Sequence, residues 1–176
     1  MKSVAGLPPD ELAALVCQAL ADAGITVTLT GGACVAIWTN GAYLSHDLDF
    51  VEQGIVSRRE VRKVLISLGF TEKGRYFSHP DSDFLVEFPS GPLAVGDQPV
   101  HETAELALKS GTLRLLTPTD CIKDRLAAFF HWNDRQALMQ AILVARTRPV
   151  DIEEIGRWSI AEGMKEKFAE FERASV

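Results

Sequence analysis

The stretch LTGGACVAIWTNGAYLSHDLDFV, Leu29 to Val51, sets Gly31-Gly32 at the end of one apolar run and Asp47 and Asp49 at the head of the next. Residues two apart on a strand leave the same face, so these two carboxylates stand side by side, roughly 7 Å apart along the backbone. Like charges so placed repel, and at least one pKa rises unless water or a cation screens the pair. Hard oxygen donors of this kind suit Mg²⁺ or Mn²⁺, and Mg²⁺ commonly takes one or two carboxylates together with substrate phosphates. A strand that runs through Gly-Gly into a helix supplies the complement, because backbone N–H groups at such a turn can approach phosphate oxygens.

A third acid belongs to the same pattern. Glu87 is the only acid within the apolar segment FLVEFP and is expected beside the aspartates; Asp83, in the preceding turn, ranks second. Carboxylates clustered in this way can hold two metals that activate an attacking hydroxyl and stabilise the leaving oxygen of an in-line phosphoryl displacement. Taken singly, Gly-Gly marks a turn and D-x-D a solvated strand end. The order strand, Gly-Gly, helix, D-x-D strand, helix, acid-bearing strand is the specific signal.

Around this core the chain reads as alternating elements. Apolar spacing at Leu12, Val16 and Leu20 predicts a helix over residues 10–23, with Asp10 available to cap it. Residues 25–29 and 47–51 read as strands, 33–38 as a short helix, and 57–68 as a helix with Val61, Val64, Leu65 and Leu68 on its core face. Strands are expected at 75–79, 84–88, 103–108 and 112–116, the last two forming a hairpin through Ser110-Gly111, while FPSGPLAVGDQPVHE reads as an irregular loop. Thr117-Pro118-Thr119-Asp120 then opens a helix, and further helices are expected over 134–146, 151–158 and 161–173. The expected class is α/β (α+β), a mixed sheet flanked by helices and followed by a C-terminal helical bundle. The expected division is a core of residues 1–116 and a helical unit of residues 117–176.

Bulk properties bound the function. A net charge of −6 argues against broad binding of duplex nucleic acid, which needs a positive surface, but suits a small anion neutralised by metal. No apolar run reaches membrane-spanning length, and MKSVAGLPPDE lacks the apolar core of a secretory signal, so the expectation is a cytoplasmic protein without membrane association. Cys17, Cys34 and Cys121 are widely spaced and expected as buried thiols. His46 should point away from Asp47 by strand alternation, Asp134 should cap a helix, and Trp132 and Trp158 should pack between helices. Nothing forms a Ser-His-Asp arrangement or a P-loop.

On these residues the sequence resembles the nucleotidyltransferase superfamily related to DNA polymerase β, in particular small bacterial AbiEii-like enzymes of toxin-antitoxin systems. The family pattern of an apolar residue, Gly, Gly or Ser, then acid-apolar-acid-apolar and a later acid matches Leu29-Thr30-Gly31-Gly32, Asp47-Leu48-Asp49-Phe50 and Glu87. LLTPTDCIKDRLAAFFHWNDRQ is similar to the helical segment that follows in such proteins. The resemblance implies transfer of a nucleoside monophosphate from an NTP to a hydroxyl of RNA, protein or a small molecule, with Mg²⁺ or Mn²⁺ as cofactor and a cognate antitoxin as partner. It assigns metal binding and catalysis to Asp47, Asp49 and Glu87. It assigns nucleotide binding to Gly31, Gly32, Ser45 and Lys123. Ala33 stands where many members carry Ser or Thr, the gap from Gly32 to Asp47 is longer than usual, and Glu87 replaces the more frequent Asp. The alternative is therefore a catalytically degenerate module of the same fold that binds nucleotide, nucleic acid or a protein partner.

Overall fold

The computed structural model describes residues 4–175; residues 1–3 and 176, at the outer ends of the two expected units, lie outside the described residues. In chain order the elements are α1 (Pro9–Asp22), β1 (Val27–Thr30), α2 (Gly31–Trp38), β2 (Asp47–Glu52), α3 (Arg58–Ser67), β3 (Thr71–Lys73), β4 (Tyr76–Ser78) and β5 (Leu85–Glu87). They continue with β6 (Ala94–Val95), β7 (Gln98–Pro99), β8 (Thr103–Leu108), β9 (Gly111–Leu116), α4 (Pro118–Trp132), α5 (Arg135–Thr147), α6 (Ile152–Ala161) and α7 (Lys165–Ser175). Seven strands form one mixed sheet in the order β3-β4-β5-β2-β1-β9-β8. The pairs β1–β9 and β2–β5 are parallel, and β1–β2, β3–β4, β4–β5 and β8–β9 are antiparallel.

Alternation on the central strands decides which face is core. Leu48 and Phe50 of β2, Leu29 of β1, Val86 of β5 and Leu113 and Leu115 of β9 are fully buried. Helix α1 packs against β1 and β9 and touches α3, contributing Leu12, Val16 and Leu20, while α3 contributes Val61 and Leu65. Val64 and Leu68, expected on the same face, pack at its margin. The alternate residues of β2, Asp47 and Asp49, are thereby set on the other face.

Local chemistry accounts for the element boundaries. Ser57 and Glu60 form a complete capping box at the start of α3, and the Thr117 hydroxyl accepts from the Asp120 N–H at 3.2 Å to start α4. Asp134 caps α5 by accepting from the Ala137 N–H at 3.0 Å, as expected. Helix α1 begins one residue earlier than the spacing predicts, so Asp10 lies in its first turn and Pro8 is at the cap.

Three expectations change. The FPSGPLAVGDQPVHE stretch is not a plain loop, since β6 and β7 pair within it and the Trp158 indole donates to the Val95 carbonyl at 3.2 Å. Strand β3 extends the sheet edge where no strand was expected. Trp158 packs as expected, stacked on Phe130 at 5.6 Å, but Trp132 at the end of α4 is 78% exposed. Among the described residues no helix is long and apolar enough to cross a membrane.

Candidate active site

Parallel pairing of β2 with β5 puts Asp47 opposite Leu85 and Asp49 directly opposite Glu87. Side chains opposite each other in register share a face, so Glu87 stands on the aspartates' side of the sheet, as the sequence order requires. Asp83 is left exposed in the turn before β5. Antiparallel pairing of Thr30 with Asp49 brings the end of β1, and with it Gly31, to the same edge.

Gly31 opens α2 with φ of +66°, and a β-carbon there would stand 2.7 Å from Asp49 Oδ2. Both features demand glycine: the backbone is left-handed, and the Asp49 carboxylate fills the space a side chain would need. Gly32 lies against Ser45, whose Oγ would be 3.2 Å from a β-carbon at that position. The Ser45 hydroxyl donates to the Asp47 carbonyl at 3.0 Å and so ties the approach to β2 to its first residue. Gly31, Gly32, Ser45, Asp47, Asp49 and Glu87 therefore adjoin one another.

The electrostatics follow from this crowding. Burial, then the Glu87 and Asp47 charges, push the Asp49 carboxyl up to about 6, with Arg125 the opposing influence. Arg75, just before β4, pairs with Glu87 at 3.2 Å and also hydrogen-bonds the Tyr76 hydroxyl.

Helix α4 reaches the cluster with a different residue from the one expected. The Gly31 N–H donates to Asp124 Oδ2 at 3.3 Å, and the same oxygen accepts from Arg125 Nε at 3.0 Å and Nη2 at 2.6 Å. Burial opposes the Arg125 charge, yet the adjoining Asp124 outweighs it and holds the guanidinium above its ordinary range. Lys123, expected to contact phosphate, turns instead to the other flank of α4. Its ammonium is buried between Asp120, at 3.1 Å, and Glu154 of α6, beside a cavity of about 430 Å³ that also takes in His101 and the β6–β7 hairpin. Consecutive helical residues diverge by about 100°, so one position along the chain separates the two faces.

Asp124 and Arg75 are members of the cluster that the sequence pattern did not single out for the site. Next to Ser45 a recess of about 520 Å³ opens, lined by Ile37, Tyr43, Leu44, His46 and Phe84. His46 stacks on Phe84 at 6.1 Å, a packing role consistent with its place outside the carboxylate cluster.

The donor set suits a hard divalent cation. Asp47, Asp49 and Glu87 offer carboxylate oxygens from adjacent strands, and the raised Asp49 pKa reflects burial first and then repulsion by Glu87 and Asp47, the part a cation would relieve. Among the described residues no three His, Cys, Asp or Glu side chains close around one point tightly enough to hold an ion unaided.

No protein-family model matches the chain, and no curated relative matches its sequence. Solved structures do match in three dimensions. An antigenic nucleotidyltransferase-like protein from Paracoccidioides brasiliensis superposes with a TM-score of 0.61 at 13% identity, over 82% of this chain and 78% of that one. The antibiotic-resistance factor ANT(2'')-Ia superposes with a TM-score of 0.50 at 16% identity, over 91% of this chain and 90% of that one in solution. Its crystal structure in complex with adenylyl-2''-tobramycin gives the same TM-score and identity over 96% and 98%. The chain thus has the nucleotidyltransferase fold, a mixed sheet flanked by helices with further helices after it.

Proposed function

We propose that this protein is a metal-dependent nucleotidyltransferase that moves a nucleoside monophosphate from an NTP to a hydroxyl acceptor. The observation that carries the reading is the convergence of Asp47, Asp49 and Glu87 on one sheet face beside Gly31-Gly32. Asp47, Asp49 and Glu87 would hold Mg²⁺ or Mn²⁺, which supplies charge neutralisation for the triphosphate and the leaving pyrophosphate. The chain's own contribution is positional. Gly31 and Gly32 let phosphate oxygens come close to the backbone, and Ser45 borders that path. The acceptor oxygen bonds to the α-phosphorus as the bond from that phosphorus to the bridging oxygen breaks; Glu87, freed from Arg75, takes the hydroxyl proton, and pyrophosphate departs.

The acceptor would enter between the sheet and the helices from Pro118 onward. ANT(2'')-Ia, solved with a nucleotidylated tobramycin, supports a small-molecule hydroxyl as one class of acceptor. The AbiEii-like resemblance of the Gly-Gly and D-x-D segments supports RNA or protein, with a cognate antitoxin as partner. One observation favours a second reading, a nucleotide-binding module without turnover: Glu87 is engaged by Arg75.

Incubation with each α-labelled NTP, Mg²⁺ and either cellular RNA, cell protein or a small-molecule fraction separates the two. Transfer of label, reduced about 10²–10³-fold or more by Asp47→Ala or Asp49→Ala with folding retained, is the expected result. Equal turnover in either variant contradicts the assignment, and binding of NTP without release of pyrophosphate establishes the module.

A further inference from the structure

The strand register continues the row of acids past Glu87. Asp49 pairs with Glu87, Glu87 with Tyr76 of β4, and Tyr76 with Lys73 of β3, so these four side chains leave one face of the sheet in line. Lys73 lies two strand spacings, about 10 Å, beyond Glu87. Arg75, in the turn joining β3 to β4, sets its guanidinium 4.7 Å from the centre of the Tyr76 ring while pairing with Glu87 at 3.2 Å, and its side chain is 71% exposed. Lys73 is exposed and makes no ion pair among the described residues. Where the acids end, the row therefore changes to an aromatic ring and two cations. The surrounding charge has the same sign: residues 58–75 hold six Lys and Arg against two Glu, in a chain whose net charge is −6. Arg58 and Arg62 of α3 already share Glu72, one of those two acids. A positive end on an acidic molecule attracts a polyanion locally although the whole repels one. Charge on an edge strand also blocks pairing with a second sheet, but that role does not call for Arg75 to bridge Tyr76 and Glu87.

We propose that Tyr76, Arg75 and Lys73 form a platform on which a single-stranded nucleic acid presents its terminal hydroxyl to Glu87. The inference rests on the nucleotidyl-transfer reading and names the class of its acceptor. Single strands are held by cations along the backbone and by flat groups against the bases. Lys73 and the charge around it supply the first, and Tyr76 with the guanidinium above it the second. A phosphate of the strand takes Arg75 from Glu87, one anion replacing another at the same guanidinium. The Glu87 carboxylate is thereby released as the acceptor arrives, which accounts for its ion pair in the free protein. A polycationic acceptor is repelled by the same cations.

Fluorescence anisotropy with a short labelled oligouridylate and, in parallel, a polyglutamate peptide of similar charge tests the platform without NTP. Wild type should bind the oligonucleotide, with an affinity that falls as salt rises. Lys73→Ala should weaken binding and make the slope of log affinity against log salt shallower by about 0.7, the share of one phosphate on a single strand. Tyr76→Ala, with folding checked by circular dichroism, should weaken binding about tenfold. Oligonucleotide binding that neither variant alters overturns the inference. Polyglutamate bound as tightly as the oligonucleotide also overturns it and marks the edge as a surface for an acidic protein. Wild type that binds Mg²⁺-NTP but no oligonucleotide overturns the inference alone. Wild type that binds the oligonucleotide but no NTP overturns the nucleotidyl-transfer reading, and with it the strand's role as acceptor.

Discussion

At Asp49 three influences compound: burial, the Glu87 charge across the parallel ladder, and the Asp47 charge two residues before it. The carboxyl is raised from an ordinary 3.8 to about 6, so the folded chain retains this proton in a pH range where the unfolded chain has lost it. The sign is therefore the reverse of a salt-bridged aspartate. Its contribution is most favourable below about pH 4 and is lost as pH rises through about 6. Asp49→Asn should accordingly gain little over wild type at pH 4 and gain on the order of 2 kcal/mol at pH 7 in metal-free buffer. Denaturant melts at the two pH values check this, and a stability difference independent of pH would contradict it.

At the scale of elements, the turn from β1 into α2 is the most tightly specified. Gly31→Ala places a methyl against the Asp49 carboxylate and forces a left-handed φ on alanine, a backbone cost of about 1–2 kcal/mol. Thermal denaturation should show that loss, and NTP binding should weaken with it because Asp49 must shift; full stability and affinity in the variant would mean the turn tolerates side chains. How much of this was legible varies with the physics of each element. Strand β2 announces itself because Leu48 and Phe50 alternate against Asp47 and Asp49, and the β8–β9 hairpin because a Ser-Gly turn separates two apolar runs. Strand β3, Thr-Glu-Lys at an exposed edge, carries no apolar alternation to read. Strands β6 and β7 have two residues each and are tied to α6 by the hydrogen bond from the Trp158 indole to the Val95 carbonyl. The Thr117–Asp120 cap fixed where α4 starts but not its rotation about its axis. That rotation, set by tertiary packing, gives Lys123 to Asp120 and Glu154 and Asp124 to Gly31. Trp132 misled for a related reason, since helical spacing places it near the end of α4 but cannot say that α5 leaves it exposed.

Across the whole molecule, α4 is the member that joins the sheet to the helices after it. It packs on α2, β9, α5, α6 and the β6–β7 hairpin, and its buried Cys121 lies against Cys34 of α2. Burial and that neighbouring thiol hold the Cys34 thiol well above its usual range, so this contact is a packed, unreactive one. The Trp38 indole of α2 donates to the Leu116 carbonyl at 2.9 Å, pinning α2 to the end of β9 where α4 begins. These contacts hold α4, and with it Asp124, against the turn at Gly31. On the proposed function, the net charge of −6 would set a requirement at the molecular scale: a triphosphate approaching three strand carboxylates would need accompanying cations. Calorimetric titration of Mn²⁺-NTP into the wild-type protein and into the Asp47→Ala/Asp49→Ala double variant is the most direct measurement of that requirement. The account predicts saturable binding to the wild type that vanishes without the metal and in the folded double variant. Equal binding by the two proteins, or NTP binding indifferent to the metal, would contradict it.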